Sequence, residues 1–225
     1  NESIQAAGSV QAGLLGQGTA PVAAPASAPD FAGIQEECRV RIKGLRDELL
    51  VAQANRQNVR PQLTKELELW GSLEIIAEEW RLAHEDRSRH ESDLENESSA
   101  VKQSHQLPTS FLAVDELRAR RVAVASSLKA LQLEVISEQR IAEGISEDFD
   151  EAERERRKSA EAVNHSSVEQ RLAQQQVLTV ATLESRVLKA NIDLHRERIA
   201  LLQIRVEDAE VEIASLDALV SAPSS

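Results

Sequence analysis

The stretch LKANIDLHRERIALLQIRVEDAEVEIASLDALV, Leu188–Val220, carries apolar residues at Leu188, Ile192, Ile199, Leu202, Val206, Ala209, Ile213, Leu216 and Val220. The steps alternate four and three, the period of one face of an α-helix. His195 occupies the single slot where the pattern calls for an apolar residue. A second stripe runs beside the first, through Val180, Leu183, Val187, Ala190, Leu194, Leu201, Ile204 and Val211. The two stripes lie about 100° apart on a helix. A two-stranded coiled coil needs only one narrow seam, so a face of double width predicts a helix that touches two partners. The expected fold class is therefore all-α: an elongated antiparallel bundle of three to four long helices, tapering to a coiled-coil hairpin.

The segment before it reads in the same way. Val114, Leu117, Arg121, Val124, Leu128, Leu131, Val135, Glu138, Ala142, Ile145, Phe149 and Ala152 follow steps of three and four. Arg121 and Glu138 are the charged exceptions. Between the two segments, Ser166 with Glu169 and Ser167 with Gln170 fit the spacing of a capping box, and Asn164 suits a helix end. A short turn there makes the two helices antiparallel. It places Glu138 opposite Asp193, within reach of His195, and Arg121 opposite Glu210, near Asp208. A buried charge without a partner is costly. Arg121, Glu138, His195 and Glu210 are thus expected to form a structural polar seam, with Glu138–His195 and Arg121–Glu210 (or Asp208) pairs that penalise slipped registers.

Further upstream, Ile34, Cys38, Ile42, Leu45, Leu49 and Ala52 make one stripe, and Leu63, Leu67, Trp70, Leu73, Ala77 and Trp80 another. Both Trp residues read as core anchors, and Cys38 as a small buried hydrophobe rather than a reactive thiol. Beyond His84 the stripe fades, so that half of the helix should be exposed or splayed. Pro61 suits a first helical turn, and Pro108 in QLPTS ends the second helix, with Thr109 or Ser110 as the next cap. Helices are expected at about 31–57, 61–104, 110–163 and 167–220. Residues 1–30 hold four of the eight Gly and three of the six Pro and read as a flexible linker, and 221–225 as a tail.

Composition narrows the function by exclusion. The chain has 225 residues, 41% hydrophobic and 28% charged, but only 2% aromatic, which favours long helices over an aromatic-rich globular core. Its formal net charge of -12 argues against nucleic acid as a partner. The basic runs RARR and ERERRK read as solvated helix faces. One cysteine rules out an intramolecular disulfide and a cysteine-based zinc site. HEDRS begins like a zinc-binding H-E-x-x-H, but Ser88 replaces the second His, and His84 and His90 do not share a helix face. No phosphate loop, dinucleotide loop or nucleophile elbow appears. No catalytic residue, cofactor or metal is expected, and the chain does not read as an enzyme. It has no apolar run near the ~20 residues of a membrane span. It also lacks Met, even at position 1, and so reads as a processed product or a fragment.

Residues 109–220 carry TSFLAVDELRARRVAVASSLKALQLEV, directly after Pro108, and LTVATLESRVLKANIDLHRERIALLQIRVEDAEVEIASLDALV, preceded by ELELWGSLEIIAEEW. In this texture the chain resembles the periplasmic helical region of large mechanosensitive channels of the small-conductance superfamily. The resemblance implies a periplasmic, envelope-located rod attached to a membrane channel domain outside these residues, with a part in gating. No pore residue carries over, because the pore helices are not in this sequence. The partners so implied are other helices, of this chain or a neighbouring one. The alternative is a cytoplasmic coiled-coil scaffold resembling the arm of a chromosome-organising protein. A helical ligand-binding domain is the third reading.

Overall fold

Four α-helices form an all-α bundle in the computed structural model, which describes residues 29–55, 60–100 and 111–221. They are α1 (Phe31–Ala54), α2 (Arg60–Ala100), α3 (Phe111–His165) and α4 (Val168–Ser221). The linker read at 1–30 lies almost wholly outside the described residues. So do the break at Pro108, its caps at Thr109 and Ser110, and the last four residues of the tail.

Each helix begins where local chemistry allows it. Asp30 caps α1, its carboxylate accepting the Gly33 amide at 2.9 Å. Between α3 and α4 the chain turns at Ser166 and Ser167. The Ser167 carbonyl accepts from the Gln170 and Arg171 amides and opens α4. Ser166 does not cap α4 as its spacing with Glu169 suggested; its hydroxyl turns back to the Ala162 carbonyl and closes α3. A serine hydroxyl bonds an i−4 carbonyl as readily as it caps, so the spacing alone does not choose.

Ion pairs give the directions. Gln35 meets Glu78 and Arg39 meets Glu74, so α1 and α2 run antiparallel. Lys65 meets Glu184 and Glu79 meets Arg198, both numbers rising together, so α2 and α4 run parallel. Arg120 meets Glu212 and Glu138 meets His195, so α3 and α4 run antiparallel. The packing order is α1, α2, α4, α3, with α4 held between α2 and α3.

That central place explains the doubled stripe. Leu183, Val187 and Ala190 pack on a core made by Cys38 and Leu45 of α1 and Trp70 and Leu73 of α2. His195, on the other stripe, faces α3. Between Ile192 and Leu202 both stripes are covered at once, and only Arg196 is exposed. Among the described residues helix α3 packs against α4 alone, and it behaves differently. Every member of its stripe, from Val114 to Ala152, is half-buried and none is fully buried. At 55 and 54 residues, α3 and α4 are each about 80 Å long. The first turns of α4 lie beyond the start of α2, where Val168 and Leu172 are exposed. At the other end the side chains of residues 91–93 of α2 and Val211 of α4 are exposed. The bundle thus tapers to the α3–α4 hairpin at the end where these two helices join.

Cys38 is 0% exposed, and burial pushes its thiol up to about 11. A thiol of that kind is a core hydrophobe rather than a nucleophile. Modification by an aromatic disulfide reagent at pH 8 should be at least roughly 100-fold slower in the native protein than in urea. Equal rates would mean that the α1–α2–α4 core opens freely.

Candidate functional site

Two polar contacts sit two residues apart on the middle of α4, on opposite sides. On the α3 side, His195 Nδ1 lies 2.5 Å from the Glu138 carboxylate, and His195 is 7% exposed. Both residues occupy stripe positions on their helices, which is why they meet.

Arg121 does not pair with Glu210 or Asp208. It forms a two-pronged contact with Asp217, while its neighbour Arg120 takes Glu212. Asp208 follows Ile204 by four residues and so belongs to the other stripe. Glu210 is exposed. Asp217 lies four residues after Ile213, on the face turned to α3. The guanidinium beside Asp217 holds its carboxyl below the usual range.

On the α2 side lies a site that the sequence reading missed. Glu197 is 0% exposed. His84 Nδ1 is 2.9 Å from its Oε1, and Arg87 Nε is 2.8 Å from the same oxygen. An ionised carboxylate only accepts, so His84 is the donor. The Arg87 N–H is not directed at the oxygen, so that contact is ionic without being a hydrogen bond. Glu197 Oε2, His90 Nε2 and Trp80 Nε1 are buried and lack hydrogen-bond partners among the described residues. Phe31 closes the α1 side, its ring edge-on to Trp80 at 5.4 Å and 5.8 Å from the His84 ring.

Two signals in the sequence mark this site. The second stripe of α4 steps from Leu194 to Leu201 and skips the slot near 197. On α2, His84 and Arg87 continue the spacing of Trp80, so the stripe does not fade there but turns polar. Arg87, with its side chain 13% exposed, packs where exposure was expected.

A third junction ties three helices together. Arg186 of α4 makes a bidentate pair with Glu37 of α1 at 2.9 and 2.5 Å and stacks 5.4 Å above the Trp70 ring of α2. Such forks hold geometry well, and the ring face adds attraction for the cation.

These contacts set an acid limit. The Arg186 hydrogen bonds hold Glu37 below its ordinary value. Arg81 and Gln35 bring Glu78 down to about 2, and Arg156 and Ser185 bring Glu153 to about 2. A carboxylate depressed in the folded state stabilises it above the unfolded pKa, and that stabilisation is lost as pH falls through the folded one. The melting temperature should therefore hold steady down to about pH 5 and fall between about pH 4.5 and 2. A thermal melt series by circular dichroism reads this directly, and a flat profile across that window would contradict the assignment.

The His195–Glu138 pair allows a signed test. Replacing both members of a buried polar pair by apolar residues is often neutral or stabilising, and removing one member is destabilising chiefly when it leaves the other's charge buried. Glu138 keeps 22% of its side chain exposed and can turn to water. His195→Leu should therefore raise the unfolding free energy by about 1 kcal/mol in urea. A loss of stability would show that the pair contributes more than the seam around it.

Among the described residues, no group of His, Cys, Asp and Glu side chains is arranged to hold a metal ion, and no helix is long and apolar enough to cross a membrane. Glu197 has no exposed surface, so in this conformation its carboxylate meets helices and not a solute. No protein-family model, curated protein or solved structure matches the chain.

Proposed function

We propose that this chain is a non-enzymatic structural and regulatory helical module of a mechanosensitive channel-like envelope protein, lying outside the cytoplasm. The observation that carries the reading is the construction of the α3–α4 pair. Two helices of 55 and 54 residues run side by side, joined at one end by a two-residue turn. Helix α4 is also gripped by α2 along its middle. A long rod with a fixed register suits spacing and force transmission. The conspicuous buried polar groups, Glu197 and His195, are engaged with neighbouring helices. The texture shared with the periplasmic helices of that channel superfamily supports the same reading.

Location is the first test. Lys129→Cys places a thiol on the exposed back of α3, while Cys38 stays shielded. In cells producing the protein with this substitution, a membrane-impermeant maleimide should label position 129 once the outer membrane is made permeable and the inner membrane is left whole. Labelling only after lysis would overturn the reading and favour the cytoplasmic scaffold. The second test is the pressure threshold of patch-clamped membranes. Deleting α3 and α4 together should shift it, and an unchanged threshold would remove the gating role.

A further inference from the structure

We infer that the second half of α2, from His84 onward, is a strap that opens and closes on α4, with Glu197 as its latch. Trp80 is the last buried apolar residue of α2 among the described residues. Up to that point α2 is anchored by Trp70, Leu73 and Ala77 in the core shared with α1 and α4. Beyond it the contacts to α4 are polar: Glu197 with His84 and with Arg87. Among the described side chains of this half no apolar residue is fully buried: Leu94 is half-buried and residues 91–93 are exposed.

The latch is incompletely satisfied. Closure strips all water from the Glu197 carboxylate, yet supplies one aligned hydrogen bond and one misaligned cation. Among the described residues Oε2 is left without a hydrogen-bond partner, and further along α2 so is His90 Nε2. A buried carboxylate needs most of its lone pairs met to repay its desolvation. Opening rehydrates Glu197 at the loss of little packing, so the segment separates from α4 without unfolding the anchored half. Local opening of this kind is the expected behaviour of elements with few buried apolar contacts. When open, it uncovers the stripe that continues from Leu183 through Leu194 and Leu201.

Amide hydrogen exchange followed by mass spectrometry on the whole chain tests the device, because its two perturbations carry opposite signs. Removing the partners in His84→Ala/Arg87→Ala leaves Glu197 to be buried alone, which favours the open form. Exchange in 84–100 and in 194–204 should then rise roughly tenfold or more, with 63–80 unchanged. Glu197→Leu removes the need for hydration, while Arg87 and His84 retain some exposure and can turn outward. Exchange in the same segments should fall by a similar factor. Faster exchange in Glu197→Leu would overturn the proposal, because it would show that the contacts to Glu197 hold the segment closed more than its desolvation drives it open. Equal protection of 84–100 and 63–80 in the unaltered protein would overturn it as well. Should the double variant fail to fold, Glu197→Leu against the unaltered chain decides the matter alone.

Discussion

Leu73→Ala should lower the unfolding free energy by about 3–4 kcal/mol, read from urea titrations followed by circular dichroism at 222 nm. Leu73 is 1% exposed and packs with Cys38, Leu45, Trp70 and Leu183, so three helices share its surroundings. Truncation there removes the transfer free energy of the lost methyl groups. It also leaves a cavity that three long rods cannot close by shifting together. The change should act on the α1–α2–α4 unit and spare the α3–α4 seam. Accordingly, the contact between Arg120 and Glu212 should survive concentrations of urea that detach α1. Leu133 on the back of α3 is the matched control. It is 67% exposed, and Leu133→Ala should stay within about 0.5 kcal/mol of the parent. A loss under 1 kcal/mol at Leu73 would mean that the three helices do not share one core.

The second large effect has the opposite sign. Gly44, Gly71 and Gly144 lie within α1, α2 and α3, and a methyl group added at any of them meets nothing within 4 Å. Glycine in a helix interior gives up more backbone freedom on folding than alanine does. Replacing all three by Ala should raise the unfolding free energy by roughly 2 kcal/mol, most simply seen as an upward shift in melting temperature. Gly33 supplies the built-in contrast. A Cβ there would come within 2.3 Å of the Asp30 carboxylate that caps α1. Gly33→Ala should cost about 1 kcal/mol, the value of the cap. If the triple variant were less stable, the helices would have to depend on bending at these glycines.

The legibility of the site followed a physical divide. His195 and Glu138 were visible because each interrupts an otherwise apolar stripe, and an antiparallel turn near Ser166 brings the interruptions level. Arg121 was visible as a charged seam residue, but its partner was not. A long guanidinium reaches about a turn along the facing helix, and only the relative rotation of α3 and α4 chooses Asp217 over Glu210. Glu197 was hidden in HRER, where it stands between two arginines and one of them, Arg196, is exposed. Its burial needs His84 and Arg87 from a helix more than a hundred residues away in the chain.

What the sequence alone determined is the set of helices and the faces they bury. Hydrophobic period is a local property, set by 3.6 residues per turn and by the aversion of Leu, Ile and Val for water. It was enough to predict a bundle rather than a two-stranded coil, from the width of one face of α4. The tertiary structure alone decided which helix meets which stripe. It laid α2 parallel to α4 and set α1 beyond it. It turned the polar continuation of α2 inward onto Glu197. Apolar stripes are nearly interchangeable as partners, because the hydrophobic effect has no direction. Charged groups are not, since each must find its complement to be buried at all. Partner choice in this protein therefore rests on a few ionic contacts between residues far apart in the chain, and no local pattern encodes it.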